Sequence, residues 1–223
     1  MVSVAGSTRP ARGHAAVRPL HVDDTCIVID KPAGLLSVPG RGEHKQDCAA
    51  ARLQARFADA LVVHRLDMAT SGLMLFARGA AVHRALSRAF AQREVRKRYV
   101  AVVHGLMAQP EGEIDLPLQA DWPNRPMQKV DTAHGKPSLT RYRVLHFDPT
   151  TNTSRLALEP VTGRAHQLRV HLLAIGHPIL GDALYAPPVV QALSDRLLLH
   201  ASSLAFAQPD TEAMLQLESE APF

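Results

Sequence analysis

Only two cysteines, Cys26 and Cys48, occur in the 223 residues of this chain. They make no CxxC pair and no disulfide framework, which points to a reducing, cytoplasmic setting. Long apolar runs are also missing. No stretch approaches the ~20 residues that a membrane helix needs, and the Ala- and Arg-containing start lacks a signal-peptide core of about 7–15 apolar residues. Membrane and export roles are therefore not expected. Metal-binding patterns are equally scarce. Of the 12 histidines, none belongs to an HExxH, His166 and His171 are five apart and fall on different faces of a helix, and the cysteines have no zinc spacing. No metal and no cofactor is expected. Internal repeats and low-complexity segments are absent as well.

What remains is an ordinary globular composition, 46% hydrophobic and 21% charged, enough to bury one full core. Residues 1–18 read as a disordered basic tail and 19–223 as a single domain. The formal net charge of +4 is a mild basic excess, compatible with a polyanionic partner. Clustering says more than the total. Arg93, Arg96, Lys97 and Arg98 lie within six residues, a run that can bind phosphates through counterion release or decorate a solvated helix end.

Strands and helices mix without a regular βαβ rhythm, which predicts an α+β fold. Residues 25–30 read as a strand stopped by Lys31-Pro32, with Gly34 permitting a tight turn and 35–38 returning alongside. Residues 73–77 form a short buried strand. In 79–92, Val82, Leu86, Ala89 and Phe90 recur at helical spacing. Residues 98–104 form the next strand. Segments 138–148 and 153–159 read as a hairpin about the 149–152 turn, with Leu156 and Leu158 alternating against Arg155 and Glu159. A helix over 163–175 ends at Gly176, and 196–206 closes the sheet.

The chemistry-bearing stretch is His64-Arg65-Leu66-Asp67, followed by Met68-Ala69-Thr70-Ser71-Gly72 and the apolar strand. It seats a carboxylate beside a guanidinium at a strand entrance, where a structural Asp would otherwise cap a turn. Taken through residue 78, this segment resembles the signature of the RluA family of RNA pseudouridine synthases. Three further segments match the same family in order: Lys97-Arg98-Tyr99-Val100-Ala101, Gly163-Arg164-Ala165-His166-Gln167-Leu168-Arg169-Val170-His171, and Gly176-His177-Pro178-Ile179-Leu180-Gly181-Asp182 with Tyr185. The Asp121-Trp122-Pro123-Asn124-Arg125-Pro126 insert and the loop at 37–41 resemble a short member of that family with dual specificity.

The resemblance implies a mainly antiparallel bent sheet in two halves with flanking helices and a central cleft. It also implies isomerisation of specific uridines in structured RNA, in 23S ribosomal RNA and a transfer-RNA anticodon stem-loop. Nothing in the sequence requires more than a monomer. The N-terminal tail is too short to hold the small extra RNA-binding domain, of S4 type, that some relatives carry. The implied catalytic residues are Asp67, as nucleophile or base, Tyr99 and Arg169. A guanidinium within about 4–6 Å of a carboxylate favours its ionised form, and its fork can hold both oxygens. His166 and Arg169, three apart, can share one helix side. Tyr99 is placed under the uracil as a stacking face and proton relay, with packing as its alternative. Arg65 is placed in the position vacated by a flipped base, with a structural ion pair as the alternative. His64 contacts RNA backbone or satisfies a buried hydrogen bond. Arg96, Lys97, Arg98, Arg164, His166, Arg125 and Lys129 are the remaining RNA-binding candidates, and Lys31 and Lys136 are further phosphate contacts. Residues 176–182 read as a structural turn beside the cleft, and Val170, Leu172 and Ile179 as cleft wall or core. Two readings from other classes stand beside this one: a catalytically silent RNA-binding or ribosome-assembly protein, and a metal-dependent hydrolase of RNA.

Overall fold

Two apolar segments that read as continuous rather than alternating become neighbouring strands buried on both faces. In a computed structural model describing residues 17–223, β1 (Arg18–Val22) and β2 (Cys26–Lys31) form an antiparallel hairpin. The expected basic tail lies outside the described residues except for its last two, and Arg18 already belongs to a strand. After α1 (Ala49–Gln54) and β3 (Ala60–Val62) comes β4 (Ser71–Arg78), paired antiparallel with β2 along six residues. Ile27, Ile29, Met74 and Phe76 face one core with Leu53 of α1. Cys26, Val28, Leu73 and Leu75 face another, covered by Leu86, Val82, Ala89 and Phe90 of α2 (Gly79–Ala91). Burial on both faces removes the polar half of the strand pattern, which is why these strands read as unbroken apolar runs.

The second half is built on β5 (Arg96–His104), β6 (Glu111–Asp115), the separate β7 (Leu118–Ala120) and β8 (Gln128–Val130) pair, β9 (Leu139–Asp148) and β10 (Thr153–Pro160). The expected hairpin is present, with Leu156 opposite Val144 and Leu158 opposite Tyr142. In β10 every second residue is buried, so its alternation was legible. Asp148 seats the turn by accepting from Thr150 N and Thr151 Oγ1. The buried face packs on Leu168 and Leu172 of α3 (Gln167–Ala174). Short α4 (Pro188–Gln191), then β11 (Leu199–Ala207) and β12 (Met214–Glu218), complete the chain.

The ten-stranded sheet runs β1-β2-β4-β11-β5-β10-β9-β6, with β12 on β11 and β3 on β4. This is the expected α+β, mainly antiparallel architecture. Its one parallel pairing among the named strands joins β4 to β11 through Ser71 with His200 and Gly72 with Ala201. That narrow contact connects the two halves. Gly72 has φ +110°, and a Cβ there would lie 2.3 Å from Ala201 O. No other residue fits the conformation or the approach.

Three local expectations are corrected. Residues 35–38 do not return as a strand; a lone parallel bridge joins Leu36 to Cys48. The reason is Lys31, fully buried, whose ammonium donates to Pro32 O, Leu35 O and Met68 O and curls the segment around itself. Lys31 is therefore a structural cation, not a phosphate contact. The helix expected over 163–175 starts at Gln167, because His166 is left-handed at φ 53° and the Gln167 side chain accepts from Arg164 N and Thr162 Oγ1. Val170, Leu172 and Ile179 belong to the core.

Two buried histidines are held by hydrogen bonds. His171 donates from Nε2 to Leu116 O and accepts at Nδ1 from Thr140. His200 bridges Ser71 and Ser219, and Ser219 donates on to Asp30. Burial lowers the pKa of both from 6.5. The unfolded chain then binds more protons than the folded one as pH drops through about 6.5, so stability falls with acid. Urea unfolding is expected to give a smaller free energy at about pH 5.5 than at about pH 7.5, with a smaller difference in His200→Gln; a pH-independent free energy would contradict the assignment. At the sheet junction, Gly72→Ala is expected to lose more than about 3 kcal/mol, since clash adds to backbone strain. Gly79, at φ +76° with nothing within 4 Å of a Cβ, is the control: Gly79→Ala is expected to lose about 1 kcal/mol. Equal losses would remove the special role of the junction.

Candidate active site

Directly before the junction strand, residues 63–70 form the loop that carries Asp67, and it is pinned from several directions. Gly34 N and Lys31 Nζ both donate to Met68 O. Ser37 Oγ donates to Leu66 O and accepts from Leu66 N. Thr70 N closes a turn on Asp67 O. His64 stacks on Phe90 with centroids 4.7 Å apart and accepts Leu75 N on Nε2. The loop therefore has little freedom to swing, and Asp67 enters the cleft from a fixed position.

Asp67, with 26% of its side chain exposed, receives Arg169 Nη1 on Oδ2 at 3.3 Å. Arg169 is itself 4% exposed and is gripped by Asp182, through Nε to Oδ2 at 2.8 Å and Nη2 to Oδ1 at 2.6 Å. Burial works against its charge, but the hydrogen bonds and charges of Asp182 and Asp67 outweigh it and hold its pKa above the ordinary value. Asp182 also accepts from Leu184 N and Tyr185 N. The turn at 176–182 is thus structural, as expected, and in addition supplies the anchor of Arg169.

His166 brings a second group to Asp67, with Nε2 3.8 Å from Oδ1. Gln128 N donates to the Tyr185 hydroxyl, and the hydroxyl donates on to His166 Nδ1 in the arrangement that satisfies all three groups. The ring hydrogen then sits on Nε2, facing Asp67. Burial lowers the His166 pKa, with Asp67 pulling the other way, so the ring is neutral near pH 7. His166 and Arg169 approach the same carboxylate, although His166 precedes the helix.

The cleft these groups open onto has a volume of about 900 Å³. Tyr99 forms part of its wall from the middle of β5 and packs at the seam of two cores. Burial and the Asp67 charge push its phenol pKa up, so it stays protonated. Strand alternation divides the basic run. Lys97 shares the cleft face with Tyr99, whereas Arg96 and Arg98 project from the opposite face and do not line the cleft. The basic run is therefore split between two faces of the strand. Burial lowers the Lys97 pKa. Arg65 is exposed at the cleft and makes no ion pair among the described residues, leaving its guanidinium available. His64 is half-buried and also lines the cleft; burial and the charge of Lys97 lower its pKa to about 3, and its Nε2 accepts Leu75 N. Arg164 lies exposed at the rim. Arg125, Lys129 and Lys136 are exposed. None of the three lines the cleft, but Pro126 does.

Reading the sequence missed the role of Gln167, whose Nε2 donates to Leu139 O and Thr140 Oγ1 while its Oε1 holds Thr162 and Arg164. It fixes the segment before α3 and hence the left-handed His166. The position of Gln167 inside the matched motif was the available signal. Among the described residues one cluster has ligand-type atoms within 4.8 Å of one another: His21, Asp23 and Cys26. Its donors converge on Asp23, from His21, Thr25, Cys26 and Gln208. Burial and Asp23 push the Cys26 thiol up to about 12. These atoms fit a hydrogen-bonded turn rather than a metal site.

Known proteins share this arrangement of chain. The family model described as RNA pseudouridylate synthase matches residues 25–174. The dual-specificity RNA pseudouridine synthases RluA of Pasteurella multocida and of Escherichia coli K12 are each 50% identical over 204 residues, covering 92% of this chain and 93% of theirs. Among solved structures, human RNA pseudouridylate synthase domain containing 1 superposes with a TM-score of 0.79 at 27% identity, covering 96% of this chain and 87% of that one. Human RNA pseudouridylate synthase domain containing 4 gives 0.73 at 26% identity, covering 92% and 88%. The chain belongs to the RluA family of RNA pseudouridine synthases, isomerases that convert uridine in RNA to pseudouridine.

Proposed function

We propose that Asp67 performs the central step of this isomerisation. The reaction breaks the C1′–N1 glycosidic bond, turns the uracil and rejoins it through C5. It is redox-neutral and needs a carboxylate that can attack or take a proton beside C1′ or C2′. The observation that carries this assignment is a partly exposed carboxylate at the cleft, contacted by a guanidinium that is itself locked on Asp182. Water reaches Asp67 in the free protein, and a flipped uridine would displace that water and strengthen the pairing with Arg169.

The other residues take positions around that step. Tyr99 offers an aromatic face to the uracil and a hydroxyl for proton relay at C5. Arg65, exposed beside the cleft, fills the gap left in the RNA when the uridine is extruded, which offsets part of the few kcal/mol of unstacking. Lys97, Arg164 and His166 line the path of the backbone, and Arg125 and Lys129 extend it outward as phosphate contacts. Arg96 and Arg98, on the far face, contribute only to the general positive field. The substrates are ribosomal and transfer RNA, a pair of RNA classes that fits the dual specificity named for the relatives. The work is done by one catalytic domain, as a monomer, without metal, in a cytoplasm that keeps the free, buried Cys26 and Cys48 reduced.

Tritium release from unmodified transfer and ribosomal RNA labelled at uridine C5 tests this directly, because isomerisation must break the C5–hydrogen bond. Wild-type protein in chelator is expected to release tritium. Asp67→Asn is expected to lose at least about 1,000-fold in rate while RNA binding largely survives. Release by Asp67→Asn at the wild-type rate would remove Asp67 from the chemistry. Strand cleavage that stops in chelator would point instead to a metal-dependent hydrolase.

A further inference from the structure

Trp122, the one tryptophan of the chain, is 63% exposed. Leaving so large an apolar surface in water is unfavourable, and no core packing explains the residue. Its loop, between β7 and β8, is well built. Asn124 donates from N to Asp121 O and from Nδ2 to Asp121 Oδ2, Met127 N donates to Asn124 O, and Asp121 N donates to Met127 O. The guanidinium carbon of Arg125 sits 3.3 Å from the indole centroid, a close stack that covers one ring face with a cation. With that face covered and 63% of the residue still in solvent, the opposite face is open.

The loop is also tied to the active site. Pro126 lines the cleft, and Gln128 N donates to the Tyr185 hydroxyl that holds His166 beside Asp67. An open, rigid indole backed by a guanidinium is thus held at a set position beside the uridine cleft. Unpaired RNA bases present bare π-faces, and aromatic side chains are the usual surface on which proteins hold them. We propose that Trp122, backed by Arg125, stacks on an unpaired base of the RNA close to the target uridine. This rests on the assignment of the cleft to RNA made above.

Because Trp122 is the sole tryptophan, its fluorescence reports the contact without labelling the protein. The full chain is titrated with a 3′-labelled transfer-RNA stem-loop while fluorescence of the indole and anisotropy of the label are followed together. Quenching that saturates in step with anisotropy, and that disappears when one loop base is replaced by an abasic residue, is the expected result. Trp122→Leu is expected to raise KM for tritium release by on the order of ten-fold with kcat nearly unchanged, and Trp122→Phe to recover most of the loss. Saturating anisotropy with constant fluorescence, or an unchanged KM in Trp122→Leu, would overturn the platform while leaving the cleft assignment intact. No binding of RNA at all would overturn the cleft assignment, and the platform with it.

Discussion

Arg169 is a buried cation divided between two carboxylates, and the geometry of the site follows from how it is divided. Its fork is closed on Asp182 by two short hydrogen bonds, leaving one terminal nitrogen to reach Asp67 at 3.3 Å. Removing one partner of a buried ion pair costs about 3–5 kcal/mol, whereas an exposed pair contributes about 0–1 kcal/mol. Asp182, at 1% exposure, is therefore the anchor, and Asp67 is the end that stays partly open to solvent. Under the role proposed for Asp67, the asymmetry lets one guanidinium serve both structure and function. Tyr185 reinforces it, placing its ring 4.9 Å from the same guanidinium and its hydroxyl on His166.

This arrangement depends in turn on the seam of the sheet. Asp67 precedes β4, Tyr99 lies on β5, and β11 runs between them, joined to β4 by only two residue pairs. A short parallel pairing at the centre of an otherwise antiparallel sheet brings loops from both halves to one place. Gly72 is what permits the close approach. Behind the loop, the Lys31 ammonium gathers carbonyls from the 32–35 turn and from Met68. Burial lowers its pKa to about 8, with Asp67 pulling it back up. An ion buried here is expensive, and three carbonyl acceptors offset much of that cost.

Much of this was legible in the residues, for reasons that differ by element. The β9–β10 hairpin and α2 carry clean periodicities, so their bounds fall within a few residues of expectation. Residues 73–77 read as a strand because burial on both faces leaves an unbroken apolar run. The failures are equally physical. Residues 35–38 look like a strand until the unseen ammonium of Lys31 bends them, and a long-range hydrogen bond has no periodic signature. β7, β8 and β12 are short or half exposed, with patterns too brief to stand out. The three cations before Tyr99 looked like one patch, yet strand pleating alone sends Lys97 to the cleft and its neighbours away. For the site, the resemblance paired Asp67 with Arg169 and the spacing of three put His166 on the side of Arg169, whereas the approach of His166 to Asp67 was not foreseen. The anchoring role of Asp182 was hidden because its partner is thirteen residues away and only the folded turn brings them into contact.

If the division of Arg169 between Asp182 and Asp67 governs the site, the charge alone should not suffice. Arg169→Lys keeps the charge but offers no planar fork, so it cannot hold Asp182 at two points and reach Asp67 as well. The most direct measurement is single-turnover tritium release by this variant at saturating RNA, alongside its urea unfolding. A rate reduced by at least about 100-fold, with RNA affinity within a few-fold of wild type, is expected from misplacement of a properly charged group. A rate equal to wild type would show that a nearby positive charge is all Asp67 requires, and would contradict the account.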